Sequence, residues 1–157
     1  MYHADNLDIL AEALRDLVGM LNSPRQDDIL LKEAGVALDR ALFPLLVRIG
    51  ASGSLSVIDL AEQVGRDHST VSRQISKLAA LNYVTRQHAP HDQRVREAVI
   101  TASGRRVVKR ISEARRKLLG QLLADWSLND RDVLASLNRR LADAMAIARA
   151  KLDPSKT

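Results

Sequence analysis

The sequence predicts a mainly α-helical chain that carries one small β-hairpin. Three observations predict it. Leucines recur three and four residues apart, as in Leu7, Leu10, Leu14, Leu17 and Leu21, which makes one stripe on a helix. Aromatic residues are only 3 % of the 157, so Leu, Ala, Val and Ile must fill the core, which suits packed helices better than a large β-sandwich. A single turn-like stretch, Ala89 to Gln93, separates two runs containing β-branched residues. The length fits a single domain over 1–157.

The first helix follows the Leu7 to Leu21 stripe and breaks at Asn22-Ser23-Pro24. A short helix is expected over Gln26 to Ala34, stopped by Gly35. A third is expected over Ala37 to Ile49, where Leu38, Leu42, Leu45, Leu46 and Ile49 are periodic and Pro44 should kink the rod. After Ala51-Ser52-Gly53, Leu55 to Val57 reads as a short extended piece. Val57 to Val64 reads as a short helix that Gly65 ends. The next helix spans His68 to Leu81, with Asp67 or Arg66 near its start. The hairpin follows, its flanks Tyr83 to His88 and Arg94 to Thr101. Thr101 to Gly104 then opens a long helix with Val107, Val108, Ile111, Leu118, Leu119, Leu122 and Trp126 on its apolar face. Ser127 to Asp130 is a break with a new cap. A last helix carries Val133, Leu134, Leu137, Leu141 and Met145 and fades near Lys151.

Two short helices joined by a tight Gly-containing turn and followed by a hairpin make a winged helix-turn-helix. That lobe is expected over 37–101. The helices of 1–34 and 102–151 carry apolar stripes too long for a small core, and a dimerisation region would use them.

Composition narrows the function. The chain has no cysteine, which removes disulfides, thiolate metal sites and thiol redox sensing together. The formal net charge is +5 and the isoelectric point about 10.0. Thirteen Lys and Arg stand against four Asp and Glu between Arg66 and Lys117, while the first twenty residues hold one Arg against four acids. Such asymmetry fits a polyanion over one region, and also a solvated basic face. Asp5, Asp8, Glu12 and Asp16 interrupt the first apolar stretch, unlike a signal-peptide core, and no apolar run approaches the ~18 residues of a membrane span. A cytoplasmic protein is expected. His88, His91 and Asp92 give too few donors for zinc, so no metal and no cofactor is expected. Asp67, His68 and Ser69 are adjacent, and neighbours on a helix splay about 100° apart, so they form no relay. With no G-x-S-x-G elbow either, no enzyme is expected.

On a helical wheel, Val71, Ile75 and Leu78 face inward. Ser69, Ser72, Arg73, Ser76 and Lys77 gather on the opposite side, flanked by Thr70 and Gln74. Short hydroxyls allow close approach to a duplex. Arg pairs bidentately with guanine O6 and N7, and Gln with adenine N6 and N7. In the hairpin, Arg94 is the best-placed cation for a narrow minor groove. Asp92 would be repelled by phosphate and makes more sense as a brace. Arg86, Arg96 and His88 add to the basic edge.

LAEQVGRDHSTVSRQISKL and DQRVREAVITASG resemble the MarR family of bacterial regulators. Ser69-Thr70-Val71-Ser72-Arg73 looks like the family's recognition helix. Asp92, Arg94, Thr101 and Gly104 take the places of its wing signature, whereas Gln93 stands where the family commonly has a basic residue. The resemblance implies a homodimer with interlocked terminal helices, binding double-stranded DNA at a pseudo-palindrome. Recognition helices would enter major grooves and wing arginines flanking minor grooves. It implies a repressor released by a small aromatic or phenolic effector, for which Leu42, Phe43, Leu46 and Trp126 are candidate lining residues, with core packing as the competing role of each. The other reading is a non-catalytic interaction module whose basic face serves RNA or an acidic protein.

Overall fold

The computed structural model describes residues 2–152, with side chains from residue 5 on; residue 1 and residues 153–157 of the expected single domain lie outside the described residues. The chain divides into two compact units, Met1–Arg116 and Lys117–Thr157. Its elements run α1 (Tyr2–Leu21), α2 (Pro24–Ala34), α3 (Phe43–Ser52), β1 (Ser54–Ser56), α4 (Val57–Val64), α5 (His68–Ala80), β2 (Val84–Ala89), β3 (Asp92–Ile100), α6 (Ala102–Leu122) and α7 (Leu128–Leu152). The fold is mostly helical with a small antiparallel sheet.

α1 ends at Leu21, at the break expected over Asn22-Ser23-Pro24, and each of the two prolines, Pro24 and Pro44, opens the helix that follows. Ser23 accepts the Gln26 N–H at 3.2 Å as the cap of α2, and Pro24 sits in the first turn. Pro44 occupies the first turn of α3, where its missing N–H leaves nothing unpaired, so α3 is not kinked. Residues 37–42 are not helical. Asp39 builds a turn there, accepting the Ala41 N–H at 2.8 Å through Oδ1 and the Leu42 N–H at 2.9 Å through its carbonyl.

The sheet has the order β1-β3-β2, with β3 in the middle. The hairpin was legible from the sequence, but the pairing of β1 to β3, Leu55 opposite Ala98, was not. The turn between β2 and β3 is tighter than expected: only Pro90 and His91 separate the strands. Between the His88–Arg96 and Ala89–Asp92 pairs the register shifts, leaving Gln93, Arg94 and Val95 as a bulge on β3.

The core of the first unit lies where α3, α4, α5 and the sheet meet. Leu45, Leu46, Ile49, Leu60, Val71, Ile75, Leu78 and Ala98 are fully or almost fully buried. Each large aliphatic side chain so placed contributes about 1.5–3 kcal/mol relative to exposure. Arg110 fastens α6 to the end of α2 by donating to the Gly35 carbonyl at 2.7 Å. In the second unit, α6 stops at Leu122, so Trp126 lies in the following turn rather than on the helix face, and it is 46 % exposed. Ser127 accepts the Asp130 N–H at 3.1 Å and caps α7, as expected. No residue of α7 is buried.

Thr101 joins the sheet to α6. Its hydroxyl donates to the Asn82 carbonyl at 2.6 Å and accepts the Gly104 N–H at 3.0 Å. Gly104 lies so close to the Tyr83 carbonyl that a Cβ would overlap it, and would also meet Ile100 Cγ1 at 2.9 Å. Backbone cannot yield as a flexible side chain does. Gly104→Ala should therefore lower unfolding free energy by at least the ~1–3 kcal/mol typical of overpacking, measured by urea titration.

Candidate nucleic-acid interface

The interface begins with how α4 hands over to α5. Ser56 caps α4 by accepting the Asp59 N–H at 3.0 Å. Gly65 ends α4 in the left-handed region, φ 66°, which a glycine adopts without strain. Two residues later Asp67 caps α5. Its Oδ1 accepts the Thr70 N–H at 2.8 Å and the Ser69 hydroxyl at 2.6 Å, and its Oδ2 accepts the Thr70 hydroxyl at 2.7 Å. The Ser69 hydrogen bond, then the two from Thr70, hold the Asp67 carboxyl well below the usual carboxylate range. Ser69 donates to Asp67 directly, with no His68 between them, so the residues that resemble a hydrolase triad in sequence form a helix cap.

Burial of Val71, Ile75 and Leu78 turns the opposite side of α5 outward, as the wheel predicted. Ser69, Arg73, Ser76 and Lys77 are exposed; Thr70, Ser72 and Gln74 are half-buried. Arg73 Nη2 donates to Thr70 Oγ1 at 3.3 Å.

Two arginines tie this helix to the rest of the lobe. Arg66 Nη1 donates to the Ala41 carbonyl at 2.7 Å and to Gln74 Oε1 at 2.9 Å. One lone pair of the Gln74 oxygen is therefore engaged, which ties the side chain inward. Arg86, on β2, donates through Nη1 to Ser76 Oγ at 2.6 Å and through Nη2 to Ser72 Oγ at 2.8 Å. Its guanidinium braces α5 against the wing rather than standing free on the basic edge. Sequence reasoning missed Arg66 as a brace, because its partners lie 8 and 25 residues away and no local pattern marks them. The capping role of Asp67 was readable from an aspartate placed three residues before a threonine at a helix start.

In the wing, Arg94 and Arg96 are exposed, and Arg94 sits in the β3 bulge. Asp92 Oδ1 accepts the Arg94 backbone N–H at 3.0 Å. Asp92 is thus a brace, holding the arginine's backbone rather than its guanidinium. A cleft of about 410 Å³ runs between α5 and the wing, bordered by His68, Ser69, Ser72, Arg86, Arg94 and Arg96 among others. Val57, Ile58 and Val95 add apolar wall to these cations and hydroxyls, a lining that can take both the sugar and the phosphate of a nucleic-acid backbone.

Of the candidate effector residues, Leu42, Phe43 and Leu46 are buried in the first unit, and Trp126 is half-exposed in the second. Phe43 also forms part of a second cleft, about 560 Å³, with Arg40, Arg48, Arg66, Arg115 and Asp27 around it. Burial raises the Asp27 carboxyl above its ordinary value, against the lowering pull of Arg40.

The sequence profile of the MarR family matches residues 38–95, the segment that carries α3 to the wing. Over 107 residues the chain is 32 % identical to the uncharacterized HTH-type transcriptional regulator YxaD of Bacillus subtilis, covering 68 % of this chain and 75 % of that one. The chain belongs to the MarR family. A MarR family protein from Bacillus stearothermophilus superposes with a TM-score of 0.77 at 20 % identity, covering 91 % of this chain and 97 % of that one. A MarR crystal structure gives 0.74 at 21 % identity, covering 88 % and 94 %. MarR proteins are DNA-binding transcriptional regulators, not a family of enzymes, and α4, α5 and the wing of this chain form the winged helix-turn-helix on which they are built. Among the described residues no helix is long and apolar enough to cross a membrane.

The cap carries its own pH dependence. A carboxyl whose folded pKa is depressed contributes stability fully above its unfolded value, near 3.8, and loses it as pH falls from there through the folded value. Asp67→Ala should therefore lower the melting temperature at pH 7, with the gap to wild type steady down to about pH 5 and shrinking below about pH 4. Thermal melts across that range measure it.

Proposed function

We propose that this MarR protein is a homodimeric, sequence-specific repressor that binds a pseudo-palindromic operator and releases it on binding a small aromatic or phenolic effector. The observation that carries the reading is the outward face of α5, clamped by Asp67 and Arg86 beside a cationic wing. In it, Arg73, Lys77, Ser69, Ser72 and Thr70 meet the major groove. Arg94 and Arg96 meet the flanking minor groove and phosphates, where a narrow groove concentrates negative potential. The lobe of 37–101 binds DNA, and the helices of 1–34 and 102–151 pair the protomers.

Exposed apolar side chains support the dimer. On α1, Leu7 is 66 % and Leu21 68 % exposed; on α7, Leu137 is 51 % and Met145 61 % exposed. Stripes of this kind left in water mark a surface that another chain covers. For the effector, the arginine-rich cleft at Phe43 suits an aromatic ring bearing an acidic oxygen: Phe43 offers apolar surface, and Arg40, Arg48, Arg66 and Arg115 offer donors. A role on chromosomal DNA supports a cytoplasmic location.

A gel shift with duplex DNA from upstream of its own gene tests the reading. Arg73→Ala should weaken the specific complex by ~1–3 kcal/mol and relax base preference. Arg94→Ala should weaken binding with little change in preference and reduce the salt slope by about 0.9, the value for one phosphate contact. Equal affinity of wild type and Arg73→Ala for the selected site would remove Arg73 from base reading. Light scattering should give twice the chain mass; a monomer would overturn the dimer.

A further inference from the structure

The hydroxyls of α5 do not all offer the same chemistry. A hydroxyl has one hydrogen to donate and two lone pairs to accept with, and the structure settles where several of these point. We propose that two charged side chains fix the hydrogen-bonding polarity of the recognition face: Asp67 makes Ser69 an acceptor that reads a base amino group, and Arg86 makes Ser72 a donor that reads an acceptor on the duplex. This rests on the reading that α5 enters a major groove.

Ser69 gives its hydrogen to Asp67 Oδ1 at 2.6 Å. Only lone pairs remain to face a ligand. A phosphate has only acceptors to offer, and the Asp67 carboxylate repels it besides, so the Ser69 hydroxyl cannot serve as a phosphate contact while the cap holds. Major-groove donors are adenine N6 and cytosine N4. Ser69 is exposed and lies at the start of α5, the end of a recognition helix that approaches base edges. Thr70 also gives its hydrogen to Asp67, at 2.7 Å, and one of its lone pairs is taken by Arg73 Nη2 at 3.3 Å. It supports the cap and the arginine more than it offers itself.

Arg86 imposes the opposite polarity one turn further on. It donates to both Ser72 Oγ and Ser76 Oγ, so a lone pair of each is taken. Ser76 in turn donates to the Ser72 carbonyl at 3.1 Å. Its hydrogen is engaged, and it acts as a link in the brace rather than a reading group. The Ser72 hydrogen has no acceptor in the hydrogen bonds among the described residues. It faces the cleft between α5 and the wing. One lone pair is left beside it, but the Arg86 cation polarises the hydroxyl into a better donor than acceptor and repels a second donor. Its preferred complement is a base acceptor, such as guanine O6 or N7, adenine N7 or thymine O4, or a phosphate oxygen. Arg86 is thus a positioning residue: it acts on DNA through Ser72.

The test uses the full chain. Sites are first selected from random duplex DNA. Affinities are then measured on the selected site with each adenine replaced by purine and each cytosine by pyrimidin-2-one, which lack the amino group, and with single methylphosphonates replacing phosphates. Wild type should lose about 2- to 13-fold when one particular amino group is removed, the range of a single hydrogen bond, and Ser69→Ala should be indifferent to that same removal. Ser72→Ala should either change base preference at one position, marking a base acceptor, or keep its preference and lose sensitivity to one methylphosphonate, marking a phosphate. Arg86→Met keeps the apolar stem and removes the donors. It should reproduce the Ser72→Ala profile, and Ser72→Ala should add nothing in its background. Arg86→Lys, which still donates, should restore the Ser72 profile at least in part, and it carries the test if Arg86→Met does not fold. Amino-group sensitivity unchanged in Ser69→Ala, or additive losses for Ser72→Ala and Arg86→Met, would overturn the polarity assignment while leaving sequence-specific binding intact. A wild-type chain that enriches no sequence would overturn the DNA-reading function, and the assignment with it.

Discussion

The interface depends first on the burial of one apolar stripe. Val71, Ile75 and Leu78 sit in the core with almost no exposed surface, and they fix the rotation of α5 about its own axis. A helix free to roll by one residue would move about 100° and carry a different set of side chains outward. Closely packed interiors resist that roll, because each buried side chain would have to leave its own space. The outward order of Ser69, Ser72, Arg73, Ser76 and Lys77 is therefore a consequence of packing on the other side of the helix.

Packing fixes rotation; the polar braces fix tilt and end point. Asp67 sets where α5 begins. Arg66 ties its middle, through Gln74, to the turn before α3, and Arg86 ties its outer side to β2. Each brace is a charged group on neutral partners, and such hydrogen bonds are stronger than those between neutral groups. Thr101 and Gly104 perform the same service at the base of the wing, where the sheet and α6 approach too closely for any side chain larger than hydrogen. The wing and α5 are thus held in one frame, which is what a duplex touching both would require.

What could be read from the sequence was what repeats locally. The α5 stripe, the Ser127 cap and the hairpin each leave a pattern within a dozen residues, and each is where the sequence places it. Pro44 misled because a proline inside a periodic run is a kink only if the helix has already begun; here residues 37–42 are a turn, and the same proline starts the helix. Trp126 extended the spacing of α6 beyond Leu122, but a matching period cannot show that hydrogen bonding has stopped. The β1–β3 pairing and the arginine braces join residues far apart in the chain, so no local signal encodes them. Arg86 illustrates the limit: its charge and its place near the wing were evident, but that its donors turn inward to two serines depends on the angle between β2 and α5.

The position of Asp67 bears on how such a surface can be specific. If α5 enters a groove as proposed, the ionised Asp67 carboxylate at its start opposes the general attraction of a chain with net charge +5. That attraction is indifferent to sequence and binds any duplex. A fixed negative charge at the reading end weakens binding wherever a phosphate would have to sit, and costs less where base amino groups face it. Arg73 and Lys77 further along α5, and Arg94 and Arg96 on the wing, are exposed cations that would supply the compensating attraction in the proposed complex. Affinity and selectivity are in this way assigned to different residues. Under the proposed function the basic wing and the far part of α5 would hold the duplex, while the capped start of α5 would discriminate by what it repels as well as by what it bonds.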